Sequence, residues 1–416
     1  MGSDKMPPMS WRKILLAAGS VLITGVLAYQ VPAVNNRLGW RIIAADAYIR
    51  GVVNPAGALP PPAQVISPME HIESTATETP AQELLGPTAT PLPEPTPIPS
   101  NVQLASPDYE GQDWNNCGPA ALSMNLNYYG WQGNQFDISG EIKPAREDRN
   151  VNPEELLFYT RNYAGWLNST FRVGGDIAML KSFVAAGIPV IVEAVFLFDA
   201  PYWPDDDLWA AHYLLLTGYD DATQTFTVQD TFRGPDRTIT YDQLDADWQP
   251  FNRVFMLVYP PEMESTVQGI LGPHWDEEYN RRAALETAEI ELAAQPENAF
   301  AWFNLGSNQV FLEQYTQAAQ SYDQARTLGL PQRMLRYQFG PFFAYFHSLR
   351  TDELITVTSF ALQITPNAEE ALLWHGWGLF RQGKEASAIA HFQQAYNNIP
   401  LSPDAQYALE FMGASP

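Results

Sequence analysis

Between residues 102 and 260 the spacing of apolar positions changes period. AALSMNLNYY has helical spacing, with Ala121, Leu122, Met124 and Tyr128 able to share a buried face and Gly130 to end it. NPEELLFYTRNYAG, opening on Asn152 and Pro153, predicts a second helix, and GGDIAMLKSFVAAG a third. The runs PVIVEAVF, HYLLLTGYD, TFTVQD, RTITY and RVFMLVYP then read as strands separated by turn residues. Helices first and strands afterwards imply an α+β domain with an antiparallel sheet.

The flanks differ from this region. Residues 14 to 29 carry no charge and follow Lys5, Arg12 and Lys13, so the pattern predicts an N-terminal transmembrane helix, read as an uncleaved signal anchor with a cytoplasmic N-terminus. Small residues such as Ala28 and Ala33 keep cleavage open, and Trp40 to Val53 suits a short juxtamembrane helix. From Asn54 the chain turns to Pro, Thr, Ala and Glu, ending in PTATPLPEPTPIPS, a composition that buries no core and predicts an extended, disordered stalk. The expected organisation is therefore an anchor over 1–53, a stalk over 54–101, a compact domain over 102–262 and, past the linker PPEMESTVQG, a separate helical domain over 275–416.

Within the last region, prolines recur at Pro296, Pro331, Pro366 and Pro400, in steps of 35, 35 and 34 residues. Gly306, Ala318, Tyr322 and Ala325 are matched at identical spacing by Gly376, Ala388, Phe392 and Ala395. Small residues let paired helices approach closely, and the aromatic fills the space to the next pair. This pattern resembles tetratricopeptide repeats, whose period is about 34 residues, and the resemblance implies an all-α domain that binds a protein partner. The unit between Pro331 and Pro366 keeps Gly340 and loses the small residues.

Charge and cysteine content narrow the chemistry. With 23 Lys and Arg against 47 Asp and Glu, the formal net charge is −24, which argues against nucleic acid as a partner. The single cysteine, Cys117, makes an internal disulfide and a cysteine-ligated structural zinc impossible. It precedes Gly118, Pro119 and a helix, a position where the helix dipole favours a thiolate. A buried free cysteine acting as a small hydrophobe is the alternative. The polar residues Gln112, Asn115 and Asn116 just before it favour a nucleophile.

A nucleophilic thiol needs a base and a group that orients the base. Of six histidines, His212 alone lies in the α+β region, at the start of the strand HYLLLTGYD; alternation puts His212, Leu214 and Leu216 on one face and Tyr213 and Leu215 on the other. Asp230 ends the next strand, and a hairpin returns its carboxylate to the start of the His212 strand. The rivals Asp220 and Asp221 read as turn residues, and Asp236 lies beyond the strand. Asn115 and Asn116 are closer to the thiol in sequence, but Gln112 is far enough back to fold over the cleft and stabilise an oxyanion.

QDWNNCGPAALSMNLNYYG followed by AHYLLLTGYDDATQTFTVQDTFRG resembles the bacteriocin-processing cysteine peptidases, family thirty-nine of the cysteine class, and their extracellular relatives. The resemblance covers about residues 102 to 260. It implies a papain-like fold, peptide-bond hydrolysis, and catalytic roles for Cys117, His212 and Asp230, with Gln112 completing the oxyanion hole. No cofactor and no metal are implied. The chain lacks a Walker-type glycine loop, unlike transporter-linked members of that family. The insertion LFDAPYWPDDDLWAA before His212 is read either as a lip over the cleft or as a surface loop. The expected protein is a membrane-anchored, extracytoplasmic cysteine peptidase acting on a peptide or protein substrate. An inactive peptidase-like scaffold and a thiol amidase or transpeptidase acting on cell-wall peptides are the alternatives.

Overall fold

A computed structural model describes residues 11, 19, 20, 24, 32–55, 57–63, 98–144, 151–400 and 402–415. The expected membrane span, 14–29, lies outside the described residues except at positions 19, 20 and 24. Among the described residues, no helix is long and apolar enough to cross a membrane.

The chain divides into two compact units. The smaller comprises residues up to Pro55 together with Asp199–Leu208. Its helix α1, Pro32–Val53, includes the expected juxtamembrane stretch and carries an Asp46–Arg50 ion pair at 2.8 Å. Gly51 lies against Trp203, so closely that an added Cβ would sit 2.4 Å from the tryptophan Cβ. Most of the insertion before His212 thus belongs with α1.

The larger unit contains a seven-stranded antiparallel sheet in the order β2-β7-β3-β4-β5-β6, with β1 also paired to β4. Its elements are β1 (Asn101–Gln103), α2 (Cys117–Tyr128), α3 (Gln135–Ile142), α4 (Pro153–Tyr163), β2 (Asn168–Arg172), α5 (Ile177–Ala185), β3 (Val190–Leu197), β4 (Trp209–Asp220), β5 (Thr225–Asp230), β6 (Gly234–Thr240), α6 (Tyr241–Trp248), β7 (Phe255–Tyr259) and α7 (Glu264–Leu271). Both capping boxes in this region, Asn134 with Asp137 and Asn152 with Glu155, start helices as their sequences specify.

Apolar residues cover both faces of the sheet. Val192, Leu214, Leu216 and Leu257 pack with α5, α6 and α7 on one side. Ile191, Tyr213, Leu215 and Val258 pack with α2, α3 and α4 on the other. Alternation along β4 is therefore as expected, but α2 is not a one-faced helix. Gly118 through Leu126 are all buried, because α2 is covered by the sheet as well as by α3 and α4.

The linker PPEMESTVQG also differs from expectation. Part of it forms α7, whose Val267 and Leu271 enter the sheet core. The helices that follow are α8 (Glu277–Ala294), α9 (Ala299–Phe311), α10 (Tyr315–Leu328), α11 (Met334–Tyr337), α12 (Gly340–His347), α13 (Thr351–Ile364), α14 (Glu369–Arg381), α15 (Glu385–Asn398) and α16 (Pro403–Phe411). They share one compact unit with the sheet instead of forming a separate one. Asn252 Nδ2 donates to Asn308 Oδ1 at 2.8 Å, Asn304 Nδ2 to Gln249 O at 2.7 Å and Arg253 Nη1 to Glu291 at 2.7 Å. These polar contacts, one buried and two partly buried, cross the expected boundary, and the sheet and helices share one unit.

Within the helical region the paired glycines and aromatics meet as their spacing implies. A Cβ on Gly306 would lie 2.9 Å from the Tyr322 ring, and one on Gly376 would lie 2.5 Å from Phe392. Tyr322 also reaches Gly340, linking its own pair to the irregular unit that follows. In that unit the short α11 and α12 replace one longer helix.

The expected disordered stalk over 54–101 is corrected at both ends. Leu59 and Pro62 are buried, and Asn101 already pairs with Asp220 in the sheet.

Candidate active site

Cys117 is the first residue of α2, and no side chain caps that helix. Pro119 has no N–H, and Ala120 N donates to Asn116 O, so the helix begins with the N–H groups of Cys117 and Gly118 as its donors outside the backbone ladder. Gly118 lets α2 approach β4 closely, since a Cβ there would lie 3.1 Å from the Tyr213 ring.

The loop before the thiol is rigidly held. Gln135 Oε1 accepts from Asp113 N at 2.6 Å and Asn116 Nδ2 at 2.9 Å, while its Nε2 donates to Glu110 Oε1 and Gly111 O, both at 2.9 Å. Asn115 has a positive φ of 55°; its carbonyl accepts from Lys143 Nζ at 2.7 Å and its Oδ1 from Arg336 Nη2 of α11 at 3.2 Å. Asn115 and Asn116 are thus engaged in holding the loop. Gln112 is anchored differently. Its N–H donates to Thr231 O, and its Oε1 accepts from Thr231 Oγ1, each at 2.8 Å. Fixing the amide oxygen in this way leaves Nε2 as the end that can donate to a ligand.

His212 lies on β4, and its Nε2 is 2.9 Å from Asp230 Oδ1 at the end of β5. The pairing of Leu214 with Asp230 sets this diagonal contact. The same Oδ1 accepts from the N–H groups of Phe232 and Arg233, each at 2.9 Å, so the turn after β5 fixes the carboxylate. Tyr109 OH donates to Asp230 O at 3.0 Å. The rival acids have other partners. Asp220 accepts from Ala222 N at 2.8 Å, Asp221 pairs with Lys181 at 2.5 Å and Asp236 accepts from Gln229 Nε2 at 2.7 Å.

The side chain of His212 belongs to the sheet face opposite α2, since it meets Phe196 with ring centroids 5.2 Å apart. Pairing of β5 with β4 stops at Leu214, leaving the start of β4 uncovered on that side. The His212 ring and the Tyr213 backbone are among the groups that lower the Cys117 pKa. With Nε2 held by Asp230, Nδ1 is the nitrogen available to the sulfur.

Burial alone raises the Cys117 pKa, but the hydrogen bond and charge of His212, the Tyr213 N–H and the charge of Lys143 together bring it below its ordinary value. Burial disfavours the His212 cation, yet bonding to Asp230 and to Cys117 raises its pKa to about 9. Asp230, although buried, is held below the usual carboxylate range chiefly by its bond to His212. These directions favour a thiolate and imidazolium pair at neutral pH.

Two nearby groups were not singled out from the sequence. Lys143 is buried behind the nucleophile loop, and the lone acid in the apolar run PVIVEAVF, Glu193, is buried opposite Tyr213. Burial, reinforced by the charges of Cys117 and Glu154, pushes the Glu193 pKa well above the usual carboxylate range. A cleft of about 940 Å³ beside His212 and Asp230 is lined by Phe196, Leu197, Phe232 and Arg233 among others. A larger cavity of about 1100 Å³ lies along β2 and α8, away from Cys117 and His212. Among the described residues, no group of three or more His, Cys, Asp and Glu side chains is placed to hold a metal ion.

Residues 96–256 match the family model described as the Peptidase_C39 like family. The matched segment runs from before β1 into the start of β7 and contains Gln112, Cys117, His212 and Asp230, so the similarity to that family covers all four residues. Among solved structures, the chain is similar to the crystal structure of a putative C39-like peptidase from Bacillus anthracis, with 17% identity, 38% of this chain and 96% of that chain covered, and a TM-score of 0.31. No curated protein matches.

Proposed function

We propose that the protein is a cysteine peptidase in which Cys117 is the nucleophile, His212 the general acid and base, Asp230 the group that orients His212, and Gln112 an oxyanion donor. The thiolate of Cys117 attacks the scissile carbonyl carbon, and the oxygen gains negative charge facing Gln112 Nε2 and the Cys117 N–H. His212, holding the proton from the thiol, passes it to the leaving amine as the C–N bond breaks. Water then gives a proton to His212 and attacks the thioester, which releases the acid and restores the thiol. Asp230 stabilises the imidazolium throughout without taking its proton. The observation that carries this reading is the buried His212–Asp230 pair, held at 2.9 Å, with His212 among the groups that lower the pKa of a thiol at a helix N-terminus.

The N-terminal apolar segment is proposed to anchor the chain in a cell membrane, with the catalytic and helical regions extracytoplasmic. The helical region is proposed to be a tetratricopeptide-type array that binds a protein partner. Incubating full-length protein with a diverse peptide mixture and with purified peptidoglycan, then identifying products by mass spectrometry, tests the activity. Peptide cleavage that disappears in Cys117→Ala supports the peptidase. Release confined to peptidoglycan makes it a cell-wall amidase, and no product from either substrate makes it a scaffold.

A further inference from the structure

The chain from Gly57 to Ala63 lies within the stretch whose composition predicts a free stalk, yet it docks on the helical region. Leu59 is 4% exposed and Pro62 is buried. Both hydrogen bonds to helical side chains use the segment's backbone. Arg326 Nε on α10 donates to Pro60 O at 3.0 Å, and Ala63 N donates to Glu353 Oε1 on α13 at 2.8 Å.

The receptor side is a built polar site. Arg326 is 3% exposed, and its Nη1 donates to Glu353 Oε2 at 2.6 Å and to Tyr345 OH at 2.8 Å. Tyr345 OH in turn donates to Asp323 at 2.9 Å, and Arg350 donates to the same carboxylate at 2.6 Å. A buried charged network is costly unless its members are satisfied. The docked segment supplies an acceptor to Arg326 and a donor to Glu353. Arg326 Nη2 has no partner among the described residues, which leaves one donor for a further carbonyl. Prolines suit such a site, because a segment already restricted to extended backbone loses less entropy on docking.

We propose that this α10 and α13 site is a receptor for an extended, proline-containing segment, and that its resident ligand is the chain's own Leu59–Ala63.

The test uses full-length protein carrying Leu59→Asp and Ala63→Pro. These changes remove the buried side chain and the donated N–H while leaving the Arg326 network intact. A fluorescent peptide spanning residues 55–66 is titrated to 1 mM and its anisotropy read. The double variant should bind it saturably, and the wild type should bind it at least about 10-fold more weakly, since a tethered segment competes at an effective concentration in the millimolar range. A peptide bearing the same two substitutions should not bind. Absence of saturation with the double variant, binding to wild type of equal strength, or equal binding of the substituted peptide would overturn the proposal.

Discussion

His212 Nε2 stands 2.9 Å from Asp230 Oδ1, although the two residues are 18 positions apart and each is buried. The strand pairing Leu214 with Asp230 produces this contact, and the N–H groups of Phe232 and Arg233 hold the same oxygen. Asp230 thus raises the proton affinity of His212 and fixes which ring nitrogen remains for Cys117.

Replacing Asp230 by Asn should therefore lower the His212 pKa from about 9. The imidazolium persists only below that value, so the alkaline limb of the kcat/KM profile should move to lower pH. The rate should fall on the order of 10²-fold, less than in His212→Ala. An unchanged alkaline limb would show that Asp230 does not govern His212.

Gln112→Ala should lower kcat on the order of 10²-fold or more while Cys117 remains open to alkylation at the wild-type rate, because the amide serves the oxyanion and not the thiol. Thr231→Val should give a smaller loss, since Thr231 Oγ1 fixes only the orientation of the Gln112 amide. Steady-state kinetics on a peptide substrate, paired with iodoacetamide kinetics, separate these effects.

Lys143→Met should raise the Cys117 pKa, because the Lys143 charge is one of the causes that lower it. The acid limb should then move to higher pH. Glu193→Gln should leave both limbs in place, because burial disfavours the charged form of its carboxyl. A shift of the acid limb in Glu193→Gln would mean that Glu193 ionises beside the thiol.

Gly376→Ala should destabilise the helical region by about 1–3 kcal/mol, the usual range for overpacking a filled core. The added Cβ would lie 2.5 Å from the buried Phe392 ring. Thermal unfolding followed by circular dichroism measures this loss. A variant as stable as wild type would show that the α14 and α15 contact is loose.

Much of this arrangement was legible because it rests on local signals. The Gly-Pro pair after Cys117 marks a helix start, alternation along HYLLLTGYD separates Leu214 from Leu215, and Asp230 ends the strand that returns beside His212. Other features depend on contacts between distant segments. Lys143 and Glu193 become electrostatic neighbours of Cys117 only after folding. The open start of β4 follows from where β5 stops, and Gly118 to Leu126 of α2 are all buried because the sheet, α3 and α4 meet that helix. PPEMESTVQG has the composition of a linker, yet Val267 and Leu271 find space in the sheet core. The Leu59–Ala63 segment has the composition of a free stalk, and nothing in that composition points to the Arg326 and Glu353 pair that receives it.

The central claim is that Cys117 and His212 form a thiolate and imidazolium pair, and the most direct measurement is the rate of Cys117 alkylation across pH in wild type and His212→Ala. In wild type, reactivity should already be present below the ordinary thiol pKa and change again near pH 9 as the imidazolium loses its proton. In His212→Ala the low-pH reactivity should vanish, leaving a single titration at or above the ordinary thiol value. The same single titration in both proteins would contradict the ion pair.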